Sequence, residues 1–492
     1  MKKELELPSL YLIEAIFSNG IKFPDKVCLR TENYFVTYGE LLWKISAAAK
    51  YFNDIEIGKR DVVILAASSG PGFIIGYLAL HLLQATAIPV SPEITSARFN
   101  FINNLVKSKC AFLPDGRYNS IDIEVLDNVK TTQNLKYPGA IKGDAVADLM
   151  FTSGTTGEPK GVPLTQDNLR AAVQNINQYI GNCASDVELI PMPLSHSFGL
   201  ARMRCALYVG SEIVLSQGLG RVKKIFELIE KYQVSGIGMV APGWSYLHKI
   251  SGERIGRFAS QLKWIEFGSA PMEKKDKILL MRLLPNTRIC MHYGLTEASR
   301  ATFIEFHAEK LHLHTIGKPS PLTEIGIFDN AGARLSKNTV GEICIKGEMV
   351  INNYYKMSSS SESFVGDYFR SGDLGFIDDN GYIVLAGRKK EMINVGGRKV
   401  NPHEIELALS SLEEISEAAC VAMVDPNKVS GELVLAYVVP TYPEAVLTLD
   451  QIRGKIKHLL EQHMIPSAIT MVSEIPKTDS GKIKRIQLKN RQ

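Results

Sequence analysis

Hydrophobic and polar positions follow helical and extended rhythms in turn along the first part of the chain. Residues 38–52 have helical spacing, with Leu41, Leu42, Ile45 and Ala48 on one face. Residues 61–66 form an apolar run of strand length, residues 73–83 a helical pattern, and residues 85–90 a second apolar run. Strands separated by helices predict an α/β domain whose mainly parallel sheets are covered by helices on both faces. Another apolar run, 147–151, stops abruptly at Thr152.

After residue 320 the texture changes. Residues 324–329, 341–347 and 381–386 read as short strands bounded by Gly, Asn and Asp, which predicts a small β-rich subdomain. The last hundred or so residues read as a separate α+β unit. Asn401 and Pro402 open a helix as N-cap and first residue, with Glu404 in the first turn and Ile405, Ala408, Leu409 and Leu412 inward. Strands are expected over 418–424 and 433–439. Thr448 and Gln451 form a capping box for a second helix with Ile452, Ile456 and Leu459 inward.

This pattern divides the chain into a large N-terminal domain, 1–388, whose β-rich part covers 320–388, and a small C-terminal domain, 389–492. The boundary falls at Arg388-Lys389-Lys390, between Gly387 and Gly396. Such a charged connector is either a hinge or a static linker.

Composition narrows the class only slightly. The chain has 492 residues, 45% hydrophobic and 22% charged, and a net charge of +4, which gives no argument for nucleic acid. Seven widely spaced cysteines form no CxxC pair, so a reducing cytoplasm is expected rather than a zinc site or disulfide framework. The start, Met1-Lys-Lys-Glu-Leu-Glu, lacks the apolar core of a signal peptide. The apolar region 73–90 is interrupted by Gly76, His81 and Gln84 and reads as buried structure, not a membrane span.

Chemistry concentrates at Thr152-Ser153-Gly154-Thr155-Thr156-Gly157-Glu158-Pro159-Lys160-Gly161. Its glycines let the backbone turn and present N–H groups, its hydroxyls donate to phosphate oxygens, and Lys160 supplies positive charge. The spacing is not that of a Walker A loop, and taken alone the stretch is equally a surface turn. Four more segments stand out: Tyr293-Gly294-Leu295-Thr296-Glu297, Ser371-Gly372-Asp373 read as a turn, Gly387-Arg388-Lys389-Lys390, and Pro476-Lys477-Thr478-Asp479-Ser480-Gly481-Lys482.

In this order the segments resemble those of the adenylate-forming superfamily: acyl- and aryl-CoA synthetases, adenylation domains of non-ribosomal peptide synthetases, and beetle luciferases. The resemblance extends from Tyr38-Gly39-Glu40-Leu41 to Lys482. It implies a carboxylic acid substrate, ATP, Mg²⁺ and coenzyme A, or the phosphopantetheine arm of an acyl carrier protein in place of coenzyme A. By resemblance, the stretch from Thr152 to Gly161 embraces the β- and γ-phosphates. Gly268, Ser269 and Ala270 run beside the adenine and the acyl group, and Tyr293, followed by Gly294, packs on the adenine. Thr296 binds the α-phosphate and Glu297 holds the metal. Asp373 binds the ribose, Arg388 contacts ribose or phosphate, Lys390 is the hinge position, Gly397 lines the pantetheine tunnel, and Lys482 is the catalytic lysine.

In the implied chemistry a carboxylate attacks the α-phosphorus of ATP, pyrophosphate leaves, and a thiol then takes the acyl group. The nucleophile is the substrate itself, so charge neutralisation and alignment are the main tasks. His196, in Pro193-Leu194-Ser195-His196-Ser197-Phe198-Gly199, matches a pocket gate of the family. With Val240, Ala241, Gly268, Ser269, Ser299 and Arg300 it makes up the expected acid pocket. No aspartate lies between Asp186 and the end of that segment, which argues against an α-amino acid. Arg300, Arg202 or Arg204 either meets a second anionic group of the substrate or forms an outward salt bridge. A kinase would also use a phosphate loop but would release ADP. A non-catalytic descendant would have lost Glu297, Asp373 or Lys482, and all three are present.

Overall fold

The computed structural model describes residues 9–32, 34–67, 70–129, 140–152, 159–357, 362–395, 398–426, 432–442, 448–478 and 481–491. Grouped by their contacts, they fall into two units, Met1–Ile325 with Ile345–Phe369, and Gly326–Cys344 with Arg370–Gln492. Residues 370–388, which the sequence pattern assigned to the N-terminal domain, thus group by contacts with the C-terminal residues.

The first unit holds two large sheets among its described residues. In one, strands Ile121–Asp122, Cys110–Leu113, Val62–Ala66, Thr86–Val90, Val146–Thr152 and Lys160–Thr165 lie side by side in that order. All neighbours are parallel except the last pair, which is antiparallel. The other sheet has the order Lys318–Pro319, Thr302–Glu305, Arg288–Tyr293, Trp264–Gly268, Gly236–Val240, Val187–Ile190, Glu212–Leu215, Val27–Arg30 and Phe35–Thr37. Its central strands are parallel, as the sequence pattern predicts, and antiparallel pairs close both edges.

Local chemistry sets the helix starts. Thr37 accepts from the Glu40 amide while Glu40 accepts from the Thr37 amide, opening helix Tyr38–Asp54. Of its predicted apolar face, Leu41, Ile45 and Ala48 are buried and Leu42 is half-buried. Helix Pro71–Leu82 is buried all round, which explains an apolar run with no polar face. Among the described residues no helix is long and apolar enough to cross a membrane.

Short strands then follow, Glu324–Phe328, Gly341–Lys346, Phe364–Val365, Tyr368–Ile377 and Ile383–Arg388, the last three paired antiparallel. Near the end of the chain, strands Ile415–Val424, Glu432–Pro440 and Ala468–Met471 form a three-stranded sheet. Helix Pro402–Ser410 starts as expected, with Asn401 accepting from the His403 amide. Ile393, Ile405, Leu409, Cys420, Ala436 and Ile452 share one buried core. The Thr448–Gln451 capping box forms, but its helix, Leu449–Ile456, is shorter than predicted. Leu459 lies beyond the helix end and is exposed, so it does not join the inward face.

Candidate functional site

Parallel strands carry their loops at one edge of a sheet, and ligands of open α/β sheets bind there, outside the carboxyl ends of the strands. Four adjacent strands meet this condition. Strand Arg288–Tyr293 leads into Gly294, Thr296 and Glu297, and strand Trp264–Gly268 into Ser269 and Ala270. Strand Gly236–Val240 leads into Ala241, and Val187–Ile190 into the segment that ends at His196. The register places Val240 opposite Gly268 and Phe267 opposite Met291. His196 is exposed and stands at the N-cap of helix Ser197–Val209. The Thr296 hydroxyl reaches the Ser197 hydroxyl at 3.5 Å, linking the first strand end to that helix.

Two glycines here have no room for a side chain. A Cβ on Gly268 would lie 2.1 Å from Cε1 of the His292 ring. A Cβ on Gly294 would lie 2.5 Å from the Arg300 nitrogen, because the chain turns back on itself between them. Leu295 and Ala298 exchange backbone hydrogen bonds of 2.9 and 3.2 Å within that turn. Ser269 and Arg300 both take positive φ, 68° and 52°, so the backbone is held in an uncommon conformation beside the expected acid pocket.

The three arginines face inward. Arg202 is fully buried, grips Glu188 through two nitrogens at 2.6 and 2.7 Å, reaches Glu266 at 3.2 Å and Asn182 at 3.1 Å, and stacks on Trp264. Arg204 bonds Asp148 and the Tyr77 hydroxyl. Arg300 places Nε 3.2 Å from Glu266, one terminal nitrogen 3.4 Å from the Ser299 hydroxyl and the other 3.4 Å from the Phe198 carbonyl. Each nitrogen of Arg300 therefore has a protein partner, and neither an outward salt bridge nor an uncommitted guanidinium is found at 202, 204 or 300.

Glu266 is the hub of this cluster, with His292 Nδ1 at 2.7 Å. Burial alone would raise its carboxyl, but Arg300, His292 and Arg202 outweigh that and hold it well below the usual carboxylate range. Burial and then Arg300 push His292 below its ordinary value as well, which favours the neutral ring.

The hydroxyl-rich stretch begins and ends on a ladder. Thr152 and Lys160 stand opposite each other in the antiparallel pair Val146–Thr152 and Lys160–Thr165. Ser153, Gly154, Thr155, Thr156 and Gly157 lie outside the described residues, as does Gly397. The Lys160 ammonium sits 4.8 Å from the centre of the Tyr354 ring. The Tyr354 hydroxyl donates to Glu297 Oε1 at 2.8 Å. Burial, and then the Glu297 carboxylate, push the Tyr354 phenol well above its ordinary range, so it remains a donor. Sequence reasoning missed Tyr354; nothing in Asn352-Asn353-Tyr354-Tyr355 distinguishes it from a packing residue.

In the second unit Asp373 is not in a turn. It lies within strand Tyr368–Ile377, buried, in register with Arg388 on strand Ile383–Arg388. Arg388 Nε donates to Asp373 Oδ1 at 2.8 Å. Lys390 is exposed in the turn that follows, between two anchored neighbours. Lys389 reaches Glu342 at 3.0 Å, and Glu391 accepts from Arg485 at 2.9 Å. Arg485 also grips the buried Glu406. Lys482 is exposed, its amide donating to the Thr478 hydroxyl at 3.1 Å and its carbonyl accepting from the Thr478 amide at 2.8 Å. The expected site residues are thus divided between the units: Thr152, Lys160, His196, Gly268, Tyr293, Thr296 and Glu297 in the first, Asp373, Arg388, Lys390 and Lys482 in the second.

Comparison with known proteins matches both parts of the chain. The family model of AMP-binding enzymes covers residues 17–355, and that of the AMP-binding enzyme C-terminal domain covers residues 404–482. The 4-coumarate-CoA ligase 1 of Narcissus pseudonarcissus is 27% identical, over 99% of this chain and 95% of that protein. The oxalate–CoA ligase of Arabidopsis thaliana is 29% identical, over 94% of this chain and 95% of its own length. Among solved structures, o-succinylbenzoate CoA synthetase from Bacillus subtilis, in complex with its acyl-adenylate intermediate, has a TM-score of 0.87 at 24% identity, covering 96% of this chain and 97% of its own. ATP-bound MatB from Rhodopseudomonas palustris has a TM-score of 0.88 at 20% identity, covering 98% and 99%. At these identities the solved structures establish the shared fold.

Proposed function

Since the chain belongs to the AMP-binding enzyme family, we propose that it is an acid–thiol ligase. It activates a carboxylic acid with ATP to an acyl-adenylate, releases pyrophosphate, and passes the acyl group to the thiol of coenzyme A. The observation that carries this reading is the alignment of four strand ends, which bring His196, Val240, Gly268, Tyr293, Thr296 and Glu297 to one edge of one sheet. Coenzyme A is preferred over a carrier-protein arm because the full-length relatives above are CoA ligases by name. From the wide spacing of its seven cysteines, with no CxxC pair, we place the enzyme in the cytoplasm.

Roles follow from side-chain chemistry. Lys160 neutralises charge on the departing pyrophosphate, hydroxyls of the stretch that starts at Thr152 donate to its oxygens, and Thr296 donates to the α-phosphate. Among the described residues no group of three or more His, Cys, Asp or Glu could hold a metal by protein alone. Magnesium needs no such cage, because one or two carboxylates and the substrate phosphates complete its shell. A half-exposed Glu297, with one oxygen already held by Tyr354, fits that ion, which would neutralise phosphate charge when bound. Tyr293 offers a ring to the adenine, Asp373 accepts from the ribose hydroxyls, and Arg388 contacts ribose or phosphate. Lys482 bridges the attacking carboxylate and the α-phosphate in the first step and withdraws for the second, with Lys390 as the hinge position.

His196, Val240, Ala241, Gly268, Ser269 and Ser299 form the acid pocket in this reading. Arg300 shapes its wall through Glu266 rather than meeting a substrate anion. The decisive measurement is carboxylate-dependent exchange of labelled pyrophosphate into ATP, screened over aliphatic, aromatic, hydroxy and dicarboxylic acids. Exchange with at least one acid, followed by CoA-dependent release of AMP, is the expected result. Release that requires a carrier protein bearing phosphopantetheine, and not free CoA, would reassign the acceptor. ADP formation would place the chain among kinases.

A further inference from the structure

Residues 351–355 fasten two parts of the phosphate-binding region to each other. At one end the Ile351 amide donates to the Glu297 carbonyl at 3.0 Å, and Val350 bridges to Ala298. At the other the Tyr355 amide donates to the Gly161 carbonyl at 2.9 Å, and the Tyr355 Cβ stands 3.0 Å from where a Cβ on Gly161 would be. Between them Tyr354 touches both charged groups, Glu297 through its hydroxyl at 2.8 Å and Lys160 through its ring at 4.8 Å. One half-buried aromatic side chain therefore contacts both an anion and a cation.

We propose that Tyr354 is a positioning residue for nucleotide and metal. Its hydroxyl holds one oxygen of Glu297 so that the other faces the metal, and its ring carries the Lys160 ammonium toward the polyphosphate. The inference rests on the reading of Glu297 as the metal carboxylate and Lys160 as a phosphate contact. A carboxylate with an oriented partner binds a cation more tightly than one that must be ordered on binding, and loss of such an outer partner costs about 10- to 100-fold in metal affinity. A tyrosine that served packing alone would leave metal affinity unchanged once its ring was kept.

The test uses the full chain with Mn²⁺ as the metal probe and α,β-methylene ATP as the nucleotide, read by electron paramagnetic resonance of free Mn²⁺ and by calorimetry. Tyr354→Phe keeps the ring and removes the hydroxyl. It is expected to weaken Mn²⁺ binding to the nucleotide complex by about tenfold or more while leaving metal-free nucleotide affinity unchanged. Tyr354→Leu is expected to weaken both, because Lys160 loses its ring. Glu297→Gln tests the metal role of Glu297 independently of Tyr354. If it weakens Mn²⁺ binding and a folded Tyr354→Phe protein does not, the Tyr354 inference is overturned and the role of Glu297 stands. If Glu297→Gln leaves Mn²⁺ binding unchanged, both are overturned. Should Tyr354→Leu fail to fold, Tyr354→Phe alone decides.

Discussion

Arg388 and Asp373 face each other across an antiparallel pair, in register and joined by a 2.8 Å hydrogen bond between guanidinium and carboxylate. That bond holds each in place, and in the proposed function Asp373 accepts from the ribose while Arg388 contacts ribose or phosphate. Arg388→Ala is expected to raise KM for ATP in the exchange assay and to lower stability by about 1–3 kcal/mol, because the buried Asp373 carboxylate loses a charged donor. Arg388→Lys keeps the charge but not the planar fork and should restore only part of both. Titration of ATP in exchange and a chemical melt of each variant check this; an unchanged KM in both variants would remove Arg388 from the nucleotide site.

Lys482→Ala is expected to lower adenylate formation by about 10²–10³-fold, the scale for loss of one charge-stabilising donor. Transfer from a supplied acyl-adenylate to CoA should be nearly unaffected. Lys482 is exposed, and a chemical melt of the variant separates loss of chemistry from loss of fold. Equal loss in both half-reactions contradicts a scheme in which Lys482 serves only the first.

Gly268→Ala introduces a methyl 2.1 Å from the His292 ring. The ring must shift, at a cost of about 1–3 kcal/mol in stability. Pairing Gly268→Ala with His292→Ala should return part of that loss, because the cavity left by the ring accepts the methyl. A double-mutant cycle measures the coupling, and strict additivity would show that the two do not compete for the same space.

Acid stability should depend on the Glu266 cluster. Glu266 and His292 are both held below their ordinary values in the fold. The unfolded chain therefore binds the extra protons first, and stability is lost as pH falls, below about 6.5 for His292 and below about 4.3 for Glu266. Above those values the contribution is fully present. Glu266→Gln should be destabilised at pH 7 and show a flatter loss of stability below pH ~4.3. Chemical melts across pH check the slope.

Arg300→Ala gives a separate reading of the acid pocket. All three guanidinium nitrogens already have protein partners, so the variant should lose stability and activity alike on mono- and dicarboxylates. A loss confined to dicarboxylates would return Arg300 to direct substrate contact.

Much of the architecture was legible because it rests on local chemistry. The caps at Asn401 and Thr448 are each set by two or three neighbouring residues, and the structure contains both. Leu459 failed because apolar spacing continued past the helix end, where no capping signal marks the stop. Asp373 failed because Ser-Gly-Asp favours a turn, whereas pairing with Ile383–Arg388 draws the segment into a strand. The arginines at 202, 204 and 300 were ambiguous because their partners Glu188, Glu266 and Asp148 lie on strands, apart from the helix and turn that carry the arginines. Tyr354 was invisible for the same reason: its meaning lies in Lys160 and Glu297, both distant along the chain.

The opposition of Thr152 and Lys160 on their ladder carries a rule about insertions and deletions. Directly opposed residues of an antiparallel pair share a sheet face, so Lys160 emerges on the same side as Thr152. A change in loop length absorbed between them leaves that parity intact. One that slips the ladder by a single residue turns Lys160 to the opposite face and away from Tyr354. A change of span between Thr152 and Lys160 is therefore tolerated more readily than a change of phase.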